Sequence, residues 1–396
     1  MRSGSGTRRT GARDIRPGAH HHATTSGAEN IDPKYDYVVL ALQGGGALGA
    51  YQAGVFEGMA EAGYAPNWIA GVSIGAINAA LIAGSKPADR VATLRAFWDM
   101  VSSGLPANAP AWLDTLHHAF NSTSSAISAM VGVPGFYTPR NPPAMLVPDG
   151  LPEALSLYDT RGLQATLERL VDFDLINDRR VRFSVGATNV CTGNSQWFDN
   201  ARTTIGVAHV MASGALPPAF APVTIDGEMY WDGGIVSNTP LWYVLDESPQ
   251  LKGLIVQVDL FGARGERPEN LDQVMERHKD IIYSSKTRFN TTRVSELEQL
   301  RGALDRVLKK LPPEFRSDAD VKLLRGLCRG PHVDIVHLIH RPYRYTAASK
   351  DNDFSRASVD ELWAAGLDHA RRSIDHMDEL TASKRSGGIR TFDLAP

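Results

Sequence analysis

The chain predicts an α/β fold on a mostly parallel sheet, and three observations carry that reading. Tyr37-Val38-Val39-Leu40-Ala41-Leu42 is a continuous, partly β-branched apolar run. Such runs suit strands buried on both faces of a parallel sheet. The run passes through a glycine-rich turn into a helical segment from about Ala50 to Ala62. A second unit repeats the pattern: Trp68-Ile69-Ala70 reads as a strand end, Gly71–Gly75 as a turn, and Ala76–Ala83 as a helix. The parallel pattern resumes at Val181–Val190 and again at Gly253–Leu260, both strand-like.

In chain order, residues 1–33 are expected to be a disordered tail. Arg2, Arg8, Arg9, Arg13 and Arg16 stand among Gly, Ser and Thr, without the apolar stretch of a secretory signal. Weak attraction of this basic segment to an anionic membrane is the alternative. His20-His21-His22 is too short and isolated to argue for a metal. A catalytic domain is expected over residues 34–262.

Gln43-Gly44-Gly45-Gly46-Ala47-Leu48-Gly49 lies between the first strand and its helix. Bare amides at a helix start attract anions, and two uses stay open. Gly44, Gly46 and Gly49 match a dinucleotide fingerprint in spacing. That reading wants an acidic residue about twenty positions on, and Tyr64–Trp68 holds no carboxylate. The other use is an oxyanion hole from the amides of Gly44, Gly45, Gly46 and Ala47. Gly71-Val72-Ser73-Ile74-Gly75 then reads as a nucleophile elbow, with Ser73 as candidate nucleophile. Gly71 and Gly75 supply the lack of bulk that a sharp strand-to-helix turn needs. An ordinary Gly/Ser helix cap is the bland reading.

Residues 102–157 read as an insertion rich in Pro, Ala, Ser and Asn. Trp112, Leu113, Leu116, Phe120, Met130, Val131, Phe136 and Tyr137 are interspersed through it. It would form a cap, or pack passively on the core; ordinary loops of this length are uncommon. A helix is expected from near Asp159, and a short one over Ile205–Ser213. Asp232-Gly233-Gly234 follows the apolar Met229-Tyr230-Trp231. Asp232 is the candidate base, although the same sequence suits a hairpin turn. Residues 263–383 form a C-terminal extension: polar helices over 268–326, a strand at Val333–His340 that joins the main sheet, and an amphipathic helix over Ser355–His376. Ser358 and Glu361 fit a capping box for that helix. Residues 384–396 are expected to be a tail.

Gly44–Gly49, Gly71–Gly75 and Asp232–Gly234, in this order, resemble the patatin-like phospholipase family. That family carries a Gly-Gly-Gly-x-x-Gly loop, a Gly-x-Ser-x-Gly elbow and an Asp-Gly-Gly or Asp-Gly-Ala motif. Ala212-Ser213-Gly214-Ala215-Leu216-Pro217-Pro218-Ala219-Phe220-Ala221-Pro222 also resembles the family's Ala-Ser-x-x-x-Pro-x-x-Phe-x-Pro block. The resemblance covers about residues 36–260, and the C-terminal part looks like an extension of some bacterial members. It implies a three-layer α/β/α fold and a Ser73–Asp232 dyad that hydrolyses acyl esters of lipids through an acyl-serine intermediate. Phospholipid, lysophospholipid and glyceride all suit such a dyad, as does a soluble thioester. A catalytically silent scaffold is the rival, although both Ser73 and Asp232 are present. Many members place a basic residue before the last glycine of the first motif. This chain has Leu48, so any cation at that position is missing.

A triad in the order Ser73, Asp232, then His337 or His340 stays conceivable, and His209 also sits in an element-like segment. The formal net charge of −3 argues against a general nucleic-acid binder. Cys191 and Cys328 make no disulfide framework. Reduced cysteines and the lack of an apolar run near ~20 residues fit a cytoplasmic protein, with peripheral inner-membrane contact as the variant. No cofactor and no metal are expected, and the oligomeric state is not readable.

Overall fold

The computed structural model describes residues 35–103, 128–247, 252–328, 332–341, 350–382 and 388–393. Alternation along β1 (Tyr37–Leu42) sets up the layers. Val38, Leu40 and Leu42 point into one hydrophobic cluster, and Val39 and Ala41 into a second on the opposite face. Successive side chains of a strand face opposite ways, so a strand apolar at every position needs cover on both sides.

The other strands are β2 (Trp68–Val72), β3 (Thr138–Pro139), β4 (Tyr158–Asp159), β5 (Arg182–Asn189), β6 (Ser195–Asp199), β7 (Val223–Ile225), β8 (Glu228–Asp232), β9 (Lys252–Asp259), β10 (His332–Ile339) and β11 (Gly388–Asp393). The main sheet runs β11-β10-β9-β1-β2-β5-β8-β7, with β6 pairing β5 off that path; β3 and β4 form a separate two-stranded ladder. From β11 to β5 every pairing is parallel, whereas β6, β7 and β8 pair antiparallel.

Helices α1 (Gly49–Glu61), α2 (Ile74–Ala83), α3 (Arg90–Val101), α4 (Arg161–Leu170), α5 (Phe173–Asn177) and α6 (Val207–Ser213) precede α7 (Leu241–Glu247), α8 (Leu271–Leu308), α9 (Ala319–Leu327) and α10 (Arg356–Ala382). α1, α2, α3 and the start of α10 bury their apolar residues in the larger cluster. Leu241, Val244 and Leu245 of α7 close the other face. The result is the three-layer α/β/α arrangement with a mostly parallel sheet.

The C-terminal segments are built into this body. β10 and β11 extend the parallel sheet beyond β9, so the extension adds two strands where one was expected. The segment read as a tail contains β11, whose register is tied by Arg390 donating to the Asp334 carboxylate. α10 lies along α1 at backbone contact distance. A Cβ on Gly54 would overlap the Trp363 carbonyl, and one on Gly366 would overlap the Tyr51 carbonyl. Side chains cannot fit there, so glycines on both helices permit the approach. The cap of α10 also differs from expectation. Ser355 Oγ accepts from the Ser358 amide, and Ser358 donates its hydroxyl to Asp353. The chain turns helical three residues earlier than the Ser358–Glu361 pairing implied. The N-terminal tail and the part of the insertion carrying Trp112, Leu113, Leu116 and Phe120 lie outside the described residues.

Candidate active site

Sheet register brings Ser73 and Asp232 together. β2 pairs with β5 at Val72↔Gly186, and β5 pairs with β8 at Ala187↔Asp232. The residue after β2 and the last residue of β8 therefore meet at one end of β5. β1 ends beside them, with Leu42 opposite Gly71. Carboxyl ends of parallel strands are where open α/β sheets place their ligand crevices.

Ser73 occupies φ 56°, ψ −126°, a conformation that L-residues rarely adopt. The surroundings hold it there. A Cβ on Gly75 would overlap the Leu42 carbonyl oxygen, so the helix start nests directly on the end of β1. The Ser73 amide donates to Ser213 Oγ at 3.0 Å, and Ser213 donates onward to the Gly186 carbonyl at 2.6 Å. Ser213 is fully buried at the end of α6. Its bridge ties the elbow to the strand that also positions Asp232.

Asp232 is 2% exposed. Its carboxylate accepts the Gly234 amide at 2.7 Å and lies beside Ser73 at the same cavity. Burial pushes its pKa up to about 6, and hydrogen bonding from Ser73 and Gly234 pulls the other way. A carboxylate disfavoured by desolvation is a stronger base than an exposed one, yet at pH 7 it remains mostly ionised. Thr188 Oγ1 donates to the Asp232 carbonyl and the Asp232 amide to the Ala215 carbonyl, which fixes the backbone.

The glycine loop passes close to the serine. A Cβ on Gly44 would stand 3.0 Å from Ser73 Cβ. One expected donor is not available there: the Gly44 amide donates to the Asn238 carbonyl at 3.2 Å. Asn238 Nδ2 donates back to the Gly44 carbonyl at 3.1 Å, so Asn238 clamps the start of the loop from both sides. Among the described residues, the amides of Gly45 and Gly46 have no acceptor in the chain. Gly46 has φ +56° and opens a turn of 3-10 helix, with Ala47 inside it, before Gly49 begins α1. Gln43 anchors the other side: its Oε1 accepts from Leu260 and Phe261 amides, and its Nε2 donates to Thr239. Asn238 stands six residues after Asp232, and Ser213 within the Ala212–Pro222 block. Neither pattern signalled a role, because each acts through backbone groups brought close only by folding.

A cavity of about 210 Å³ opens onto Ser73, Asp232 and the loop. Its walls include Phe136 and Tyr137 from the insertion, Tyr158 from β4 just after it, Phe220 from the Pro-rich block, and Tyr283, Asp351 and Phe354 from the C-terminal part. The rings interlock: Phe136 lies 6.1 Å from Phe220 and 5.7 Å from Phe354, and Tyr137 lies 5.4 Å from Phe220. The described part of the insertion thus packs around the cavity.

No histidine is among the described residues lining this cavity. His209 accepts from the Gly206 amide through Nδ1 and packs against Phe198. His337 pairs with Asp259 through Nε2 at 2.5 Å. His340 is half-buried against Tyr51, with its pKa pushed down to about 3 by desolvation first and by Lys350 and His369 after. Among the described residues no cluster of His, Cys, Asp and Glu is suited to a metal. No helix in the described residues is long and apolar enough to cross a membrane.

A family model described as Patatin-like phospholipase matches residues 40–245, which contain the glycine loop, Ser73, Ser213, Asp232 and Asn238. The chain belongs to the patatin-like phospholipase family. A second model, described as Patatin phospholipase, matches residues 281–386. The family assignment therefore reaches into the extension that helps to wall the cavity. Among solved structures, the crystal structure of VipD from Legionella pneumophila is similar at 16% identity, with a TM-score of 0.35. That match covers 87% of this chain and 67% of that one. No curated protein matches this patatin-like chain.

Proposed function

We propose that the protein is a lipid acyl hydrolase in which Ser73 is the nucleophile, Asp232 the general base, and Gly45 and Gly46, with Ala47, the oxyanion donors. The observation that carries the reading is the sheet register that brings Ser73 beside the buried Asp232 carboxylate, whose pKa burial raises to about 6, next to glycine amides without an acceptor among the described residues.

The steps follow from the geometry. A carboxylic ester enters with its carbonyl beside Ser73 Oγ. Asp232 takes the serine proton as Oγ attacks, and the carbonyl oxygen gathers charge facing the glycine amides. Such donors cost no reorganisation when charge develops, and each is worth roughly 10²–10³ in rate. The protonated Asp232 returns its proton to the departing alcohol, leaving acyl-Ser73. Water, deprotonated by Asp232, then attacks acyl-Ser73, and Asp232 returns that proton to Ser73 Oγ as the acid leaves. The aromatic walls suit an acyl chain, since burying each methylene contributes about 0.8 kcal/mol.

The test is intact-mass spectrometry after treatment with a fluorophosphonate. One adduct is expected, on Ser73, with none on the Ser73→Ala variant, whose kcat on a medium-chain ester should fall ~10³-fold or more. An adduct elsewhere, or full turnover by Ser73→Ala, contradicts the assignment.

A further inference from the structure

We propose that the cavity selects its substrate by charge: it takes acyl esters with an uncharged alcohol part, and Asp351 is the specificity-determining residue that turns anionic headgroups away. The inference rests on the acyl-hydrolase reading above.

The charge of the cavity's described lining is one-sided. Among its described lining residues are two carboxylates, Asp232 and Asp351, and no lysine, arginine or histidine. Leu48, the one side chain in the glycine loop long enough to reach outward, is apolar and 2% exposed. The loop thus offers an anion only backbone amides.

Asp351 is fixed at this place by three sets of contacts. It sits in the turn of 3-10 helix Lys350–Asn352, and its carbonyl oxygen lies against Gly46, where any Cβ would overlap it. Lys350 anchors the turn from below, donating to Glu276 and Asp280 of α8 at 3.0 Å each. Lys279, also of α8, donates to the Asp351 carboxylate at 2.7 Å. The field of Asp351 is felt inside the cavity. The hydroxyls of Tyr137 and Tyr283, whose rings line the walls, are both pushed up; for Tyr137 the cause is burial first, then Tyr158, then Asp351. For Tyr283 the cause is burial first, then Asp232, then Asp351.

An anionic headgroup entering this space loses hydration and meets like charge across a weakly screening interior. Discrimination by an introduced repulsion needs no contact with the favoured substrate. Lys279 offsets part of the Asp351 charge, so a headgroup meets the balance of the pair. Removing either partner should therefore move selectivity in opposite directions.

The experiment compares kcat/KM for a monoacylglycerol and for its phosphate monoester with the same acyl chain, both in micelles of uncharged detergent. Each ratio comes from one preparation, so the amount of folded enzyme cancels. The native protein should favour the uncharged ester by roughly tenfold or more. Asp351→Asn should shrink that ratio several-fold, and Lys279→Gln should widen it. A native ratio near one, a preference for the phosphate ester, or a ratio moved by neither variant overturns the proposal. Fluorophosphonate labelling of Ser73 in the same samples separates the two readings. Labelling with a flat ratio removes the charge filter alone, whereas no labelling and no turnover of either ester removes the hydrolase reading with it.

Discussion

Ser73 and Asp351 face the same cavity, yet different forces hold them there. The serine side is built from backbone. The elbow nests on the end of β1 at Gly75, Ser213 bridges the Ser73 amide to Gly186, and Asn238 clamps Gly44 through two backbone groups. The opposite wall is built from charge and rings: Lys350 on Glu276 and Asp280, Lys279 on Asp351, and Phe354 stacked near Trp98 with centroids 6.4 Å apart. Backbone sterics have one solution and tolerate little change. Ion pairs and ring contacts can be re-tuned residue by residue. If Ser73 and Asp232 do the chemistry, as proposed, it sits in the rigid wall and the choice of substrate in the adjustable one.

Asp232→Asn breaks the rigid wall at its centre. The substitution keeps the shape and removes the base, so kcat should fall about 10³-fold. Its effect on stability has the opposite sign. Burial raises the Asp232 pKa from 3.8 to about 6, so the folded state binds the proton more tightly than the unfolded chain. The group therefore costs stability as pH rises through that window, and none of that cost is present below about pH 4. Asp232→Asn should melt several degrees above the native protein at pH 7.5, with the gain shrinking towards pH 4. Thermal melts across pH 4–8 measure this, and an equal or lower Tm at pH 7.5 would contradict it.

Ser213→Ala probes the same wall one layer out. It leaves the Ser73 amide and the Gly186 carbonyl without their shared hydroxyl. We expect kcat to drop roughly 10- to 100-fold with KM nearly constant, because the serine is misplaced while the cavity walls are untouched. A change confined to KM, read from steady-state kinetics, would show that Ser213 shapes the pocket and not the nucleophile.

Lys350→Met addresses the adjustable wall. It strands Glu276 and Asp280 without their cation, and breaking a buried pair this way is destabilising. The turn carrying Asp351 should loosen, raising KM several-fold while the fluorophosphonate reaction of Ser73 falls less than twofold. If labelling fell as far as in Ser213→Ala, the two walls would be one mechanical unit and the comparison would fail.

The rigid wall was also the legible one. Its demands are local: glycines where a Cβ cannot fit, a serine between them, an acid at a strand end. Each leaves a short pattern, and the apolar runs of β1, β2, β5 and β9 were equally plain. The Gly44 amide is the exception within it, because its partner, the Asn238 carbonyl, lies far along the chain. The adjustable wall left almost no pattern. Lys350, Glu276 and Asp280 look like solvated charges until folding buries them together, and Gly366 gives no hint that it faces the Tyr51 carbonyl of α1. β11 is short, polar and half-exposed, so nothing in Gly388–Asp393 distinguishes an edge strand from a tail.

The central claim is that Asp232 activates Ser73 without a histidine. The most direct measurement is the rate of fluorophosphonate labelling of Ser73 from pH 5 to 8, in the native protein and in Asp232→Asn. The native rate should rise with pH through a midpoint near 6, while Asp232→Asn stays slow and flat over the whole range. Native-like labelling of Asp232→Asn with an unchanged midpoint would contradict the claim, because another group would then be taking the proton.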